Sequence, residues 1–173
     1  MLVCPFCAAD DLIEGDDVCG HCQQPLTDAF IRVPASSVEA DLLHDLVRDL
    51  PHHEPIVVGA DSTVGETLHL MVERSVGCVL VVVDDRLAGI FSERDALLRL
   101  GPEGVDLHDD PIVKYMTPNP AVVASDDKIA FAIHKMDLGG YRHLPILEGH
   151  RAVGLISIRD VLRYLTEHNR PRR

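Results

Sequence analysis

A chain of 173 residues with a formal charge of −12 fits one compact domain, or a smaller domain with an appendage. The acidic balance, with no Lys or Arg among residues 1 to 31, argues against non-specific binding to nucleic-acid phosphates, and an aromatic content of 4% without Trp removes a stacking platform for bases. No apolar run approaches the ~20 residues that cross a bilayer, and the N-terminus has no basic region followed by an apolar stretch, so a soluble, cytoplasmic protein is expected.

Residues 1–27 carry four of the five cysteines, as Cys4-Pro-Phe-Cys7 and Cys19-Gly-His-Cys22. Two C-x-x-C knuckles supply four thiolates, enough to close a tetrahedral shell around Zn²⁺ with no open position, so a structural site is expected at Cys4, Cys7, Cys19 and Cys22. The segment is too short and acidic to build a core otherwise, and it resembles a small zinc ribbon. Two disulfides or a redox C-x-x-C are the competing readings, the first disfavoured in a reducing compartment and the second normally placed beside a βαβ pattern; iron suits the same shell. His21 is expected to face solvent, and Cys78, within an apolar run, to be core.

Residues 28–50 read as a linker and then a helix. Ser36 and Glu39 have the spacing of a capping box, and Leu42, Leu43, Leu46, Val47 and Leu50 form one stripe that ends before Pro51.

Residues 51–105 and 106–168 are two copies of one unit, with a basic tail at 169–173. Gly89-Ile-Phe-Ser-Glu-Arg-Asp95 recurs as Gly154-Leu-Ile-Ser-Ile-Arg-Asp160, 65 positions on, and at the same interval Pro55 matches Pro120, Val57 and Val58 match Val122 and Val123, Met71 matches Met136 and Arg86 matches Arg151. The first copy predicts a strand at Ile56–Val58, a helix at about Val64–Arg74, a strand at Cys78–Val83 covered on both faces, a turn at Asp84-Asp85, a strand at Leu87–Phe91 and a helix after Ser92. The fold class is therefore α+β, a duplicated β-α-β-β-α unit whose copies each complete the other's core. Ser92 with Asp95, and Ser157 with Asp160, sit where a strand enters a helix. A capping box explains Ser and Asp there; it does not explain the neighbouring Arg94 and Arg159, which an anion held at the helix start would.

With Met116-Thr-Pro-Asn-Pro-Ala-Val-Val123 opening the second copy, Tyr141-Arg-His-Leu-Pro-Ile146 before its central strand and Gly154–Asp160 closing it, roughly residues 45 to 166 resemble a tandem pair of CBS domains, a Bateman module. The resemblance implies two pseudo-symmetric clefts that take adenosine-containing ligands such as AMP, ADP, ATP or S-adenosylmethionine. It implies a crosswise construction. One cleft combines Ser92 and Asp95 with Thr117, Val122, Tyr141, Arg142, His143, Pro145 and Arg159; the other combines Ser157 and Asp160 with His52, Val57, Val76, Gly77, Cys78 and Arg94. The aspartates would take ribose hydroxyls, and Arg and His would contact phosphate. At the places of Thr117, Arg142 and His143 the first copy has His52, Gly77 and Cys78, so the Asp95 cleft is expected to bind more tightly.

A non-enzymatic regulatory module that senses such a ligand and signals through a homodimer or a partner protein is the expected function; no nucleophile with base and orienter can be assembled from these motifs. A zinc-ribbon adaptor using the CBS pair as a dimerising scaffold, and a redox or metal sensor working through the four cysteines, are the alternatives. The dimer is expected through apolar helix faces at Leu68 with Val72, and Ile133 with Met136 or Leu138.

Overall fold

The structure, a computed structural model, describes residues 4, 6–7, 9–10, 12, 18–26, 37–101 and 106–168. The expected linker, the cap at Ser36 and the basic tail lie outside these residues.

The two copies have the expected order of elements. The first runs β1 (Val57–Gly59), α2 (Val64–Glu73), β2 (Cys78–Val83), β3 (Arg86–Ser92) and α3 (Glu93–Asp95), which continues without a break as a π-helical turn over Ala96–Leu100. The second runs β5 (Val123–Ala124), α4 (Ile129–Gly139), β6 (His143–Glu148), β7 (Arg151–Ser157) and α5 (Ile158–His168). Local chemistry accounts for the boundaries. Thr63 Oγ1 accepts from the Glu66 amide at 3.1 Å while the Glu66 carboxylate accepts from the Thr63 amide at 2.9 Å, a complete capping box for α2. Asp84 and Asp85 both have positive φ, as a two-residue hairpin turn requires, and Gly140 at φ +62° closes α4 in the left-handed region.

The residues of β2 divide between two clusters, as a strand covered on both faces should. Val79 and Val81 pack with Val64, Met71, Phe91 and Ile112, whereas Cys78 and Leu80 pack with Ile90, Ala152 and Leu155. Coverage stops at the hairpin, where Val83 is exposed. One sheet has the order β1-β2-β3-β4, where β4 is Thr117–Pro118, with β1 parallel to β2 and the rest antiparallel; the other has the order β5-β6-β7. Strand β4 (Thr117–Pro118), which leads into the second copy, pairs with the last strand of the first at Gly89 and Ile90. In return His53, at the start of the first copy, exchanges backbone hydrogen bonds of 3.1 and 3.0 Å with Leu155 of β7. The copies are thus joined crosswise by backbone.

The chain forms two compact units that do not coincide with the two copies. One comprises residues 1–52, 123–144 and 156–173, and the other, the central unit, residues 53–122 and 145–155.

One expectation is corrected. The helix before the first copy does not run to Leu50: α1 spans Ser37–His44, Leu46 is extended, and Val47–Asp49 form a 3₁₀ turn. The backbone there has better partners than its own helix. Val47 N donates to Asp127 O at 2.8 Å, Arg48 N to Ser125 O at 3.0 Å, and Ile129 N to Asp45 O at 3.0 Å. The Asp49 carboxylate caps the Leu46 amide at 2.9 Å. Ile112–Lys114 form the matching 3₁₀ turn 65 residues later, so the duplication begins earlier than Pro55.

Candidate functional site

The strand-to-helix junction at Ser92 brings Asp95 into a polar cluster of the central unit. Asp95 Oδ2 accepts from the Ser92 amide at 3.0 Å and the Ser92 hydroxyl at 2.6 Å, and Ser92 Oγ accepts in turn from the Asp95 amide at 3.3 Å. The cap is fully made, and it fixes the orientation of the carboxylate. Its other oxygen, Oδ1, points to β4, where the Thr117 hydroxyl donates to it at 2.9 Å. Gly89 makes that approach feasible: a Cβ there would overlap the Met116 side chain and press on the Thr117 carbonyl, so only glycine lets β4 lie this close to β3. Ser92, Asp95 and Thr117 therefore meet as expected.

Arg99 is the residue that sequence reasoning missed. Its Nη2 donates to Thr117 Oγ1 at 2.9 Å and lies 3.3 Å from Asp95 Oδ1, while Nη1 donates to Tyr115 O at 2.8 Å and also to Met116 O. The i,i+4 spacing from Asp95 to Arg99 was a readable signal. Further along the same β3–β4 edge, Val122 lines a cavity of about 270 Å³ with Arg86, Leu87, Asn119, Pro120, Leu147 and His150. Asn119 N, bonded to Ala88 O at 3.1 Å, continues the pairing from Thr117 toward this cavity. Pro145 is buried in β6, in the same unit.

The other residues expected with Asp95 belong to the first unit. Tyr141 lines a largely apolar cavity of about 630 Å³ with Leu42, Leu43, Ile133, His134 and Phe6. Arg142 is exposed and its carbonyl accepts from the Ile158 amide at 2.9 Å; His143, half-buried, opens β6; Arg159 is exposed on α5. In the second Ser–Asp pair, Asp160 Oδ2 accepts from the Ser157 amide at 2.8 Å and the Ser157 hydroxyl at 2.6 Å. Asp160 is only 1% exposed. His52, its expected companion in the same unit, has Nδ1 3.1 Å from Leu50 O. Val57, Val76, Gly77, Cys78 and Arg94 lie in the central unit: Val57 and Arg94 are exposed, Val76 and Gly77 are half-buried, and Gly77 O accepts from the Glu93 amide at 3.0 Å. Cys78 is core, its thiol pushed up to about 12 by burial and by the nearby charges of Glu93 and Asp95.

The four N-terminal cysteines converge. All their Sγ atoms lie within 4.8 Å of one another, with Cys4–Cys22 and Cys7–Cys19 each at 3.7 Å. Four sulfurs at ~2.3 Å from a tetrahedral zinc would stand ~3.8 Å apart, so the donor set fits that ion, and 3.7 Å is far beyond a disulfide bond. Around it Cys4, Leu12, Cys19 and Leu26 form a separate small core. Burial pushes the Cys7 thiol up to about 11; Cys19 is also buried, yet the amides of Cys22 and His21 bring it down to about 7. The cluster sits beside α4. The Phe6 ring stacks on His134 with centroids 5.4 Å apart, and Cys22 contributes to the field at Lys135, whose ammonium lies 4.4 Å from the Phe131 ring centroid and whose proton affinity burial lowers.

A family model described as the CBS domain matches residues 47–101 and 112–167. The meiotically up-regulated gene 70 protein of Schizosaccharomyces pombe is 29% identical over 106 residues, 61% of this chain and 14% of that protein. CBS domain-containing protein CBSCBSPB1 of Arabidopsis thaliana is 30% identical over 117 residues, 67% of this chain and 22% of that protein. The chain thus spans well under a third of either relative. An uncharacterised 17.7 kDa protein of Acidianus ambivalens is 35% identical over 114 residues, 64% of this chain and 67% of its own length. Among solved structures, the CBS-domain containing protein ATU1752 of Agrobacterium tumefaciens matches with a TM-score of 0.63 at 28% identity over 69% of this chain and 98% of that one. CBSX2, solved in complex with AMP, matches at 0.62 and 24% identity over 72% of this chain and 98% of that one. The CBS pair of protein MJ0100, solved with 5′-methylthioadenosine and S-adenosyl-L-methionine, matches at 0.63 and 19% identity over 72% and 98%. The last two likenesses are of fold.

Proposed function

The chain belongs to the CBS-domain family, and from that premise we propose that it is a non-catalytic, cytoplasmic regulatory module that binds an adenosine-containing ligand at the Asp95 cluster. The observation that supports this most directly is the carboxylate geometry. Ser92 holds Oδ2 while Oδ1 is engaged by a hydroxyl and a guanidinium on a half-exposed edge, both of which a ribose diol can replace. The cavity at Val122, Leu87, Pro120 and Leu147 lies along the edge on which a base attached to that ribose would extend. CBSX2 with AMP and the MJ0100 pair with two adenosyl ligands show that this fold accommodates such molecules elsewhere. The ribbon, in this reading, holds one structural Zn²⁺ through Cys4, Cys7, Cys19 and Cys22. The module signals as a homodimer through exposed apolar helix positions, now Val72, Leu97, Leu98, Leu138 and Leu162; Met136, expected to contribute, is buried at 3% exposure and is withdrawn from the set.

Calorimetry with AMP, ATP, adenosine and S-adenosylmethionine on the full chain tests the reading. Saturable heat with at least one of them is expected. No heat with any would leave the ribbon adaptor on a CBS scaffold as the better account. Light scattering should report a dimer at micromolar concentration.

A further inference from the structure

We propose that Arg99 sets the charge preference of the Asp95 site, favouring an adenosyl ligand that carries a phosphate over a neutral or cationic one; this rests on the reading of that cluster as an adenosine site. Among the described residues the guanidinium is held by three neutral oxygens, Tyr115 O, Met116 O and Thr117 Oγ1, and by one formal negative charge, Asp95. Its side chain is 39% exposed against 13% for the Asp95 side chain, so it is the outer of the two.

Consider what each ligand does to that arrangement. When ribose hydroxyls take Asp95 Oδ1, Arg99 gives up its one anionic partner among the described residues. A 5′-phosphate replaces that partner with a charge-assisted, bidentate one, which a guanidinium fork suits better than an ammonium. Adenosine leaves the guanidinium without a replacement for that partner, and a sulfonium such as that of S-adenosylmethionine brings a second positive charge toward it. The other copy has no cation at the matching position. The position matching Arg99 is Tyr164, whose hydroxyl donates to Asp45 instead. The preference is therefore a property of one Ser–Asp pair and not of the duplicated motif.

The plain alternative is that Arg99 only fastens residues 115–117 to α3. Affinity ratios separate the two, because a fastener affects all ligands alike. Calorimetry on the wild type, Arg99→Gln and Arg99→Lys with AMP, adenosine and S-adenosylmethionine is the test, with thermal melts to check folding. The wild type should bind AMP about tenfold more tightly than adenosine or better, the gain expected of one charge-assisted contact. Arg99→Gln should bring the ratio to near unity, mainly by weakening AMP, and Arg99→Lys should retain an intermediate ratio; if Arg99→Gln does not fold, the intermediate ratio of the lysine variant carries the test. An unchanged ratio in Arg99→Gln, or a wild type without preference for AMP, overturns the proposal while the adenosine reading stands. A wild type that binds none of the three overturns both.

Discussion

The two Ser–Asp pairs hold their carboxylates in the same way but in different surroundings. In each, the serine amide and hydroxyl converge on one carboxylate oxygen, at 3.0 and 2.6 Å for Asp95 and at 2.8 and 2.6 Å for Asp160. Around Asp95 stand Thr117 and Arg99, both turned to its second oxygen; the matching residues His52 and Tyr164 turn to Leu50 O and Asp45. Asp160 is buried and Asp95 is accessible from the edge. The duplicated motif thus accounts for helix initiation in both copies, and what distinguishes the Asp95 pair is supplied by residues outside the motif, Thr117 and Arg99.

The largest effect expected from this contrast is on binding. Asp95→Ala should weaken AMP by about a hundredfold, the loss of two charged or ribose contacts at ~1.5 kcal/mol each, whereas Asp160→Ala should leave the tighter event within about threefold. Calorimetry on both variants decides it, and the reverse order would break the comparison. Stability should rank the other way. Asp160→Ala strands a buried serine amide and hydroxyl and should cost about 2 kcal/mol in urea unfolding, against about 1 kcal/mol for Asp95→Ala, where water reaches the vacated cap. Equal costs would mean that burial does not distinguish the pairs.

Both caps were legible in the sequence, because a capping box is a local pattern and its recurrence at 65 residues is visible without a structure. The knuckles, the doubly covered β2 and the hairpin at Asp84-Asp85 were legible for the same reason. What escaped was non-local. Leu46 fits the α1 stripe, but it is drawn into an extended bridge with Lys128, far along the chain, and Asp45 receives the Tyr164 hydroxyl. The matching 3₁₀ turns, Val-Arg-Asp and Ile-Val-Lys, repeat a shape without repeating residues. Arg99 was within reach, since it follows Asp95 by one helical turn, but assigning the acid to Ser92 hid its second oxygen.

A substitution at the close approach of β4 sharpens the contrast further. Gly89→Val should push Met116 and Thr117 off β3 and weaken AMP about tenfold, since Thr117 and Arg99 would lose their register with Asp95. The Ser92–Asp95 cap, made within one turn, should survive, as the amide protection of α3 by hydrogen exchange would report. Loss of that protection together with binding would show that cap and ligand cluster are one structural device.

The smallest effect on the Asp95 site should come from the four-cysteine cluster. Thiolates bind zinc and thiols do not, so binding releases protons and apparent affinity must fall as pH falls. The amides of Cys22 and His21 bring the Cys19 thiol below its ordinary value, whereas burial pushes Cys7 above it. Zinc retention against a chromophoric chelator should therefore drop steeply between pH 7 and pH 5, and Cys19→Ser should abolish it. The ribbon precedes the family match, which starts at residue 47, and it belongs to the compact unit that holds Asp160, not to the one that holds Asp95. Chelation at pH 7 should accordingly change AMP affinity by about twofold or less, too little to register as coupling, which begins near fivefold. A tenfold loss of AMP affinity on chelation would assign the ribbon a part in ligand sensing, and retention independent of pH would mean that the four sulfurs do not hold the metal as thiolates.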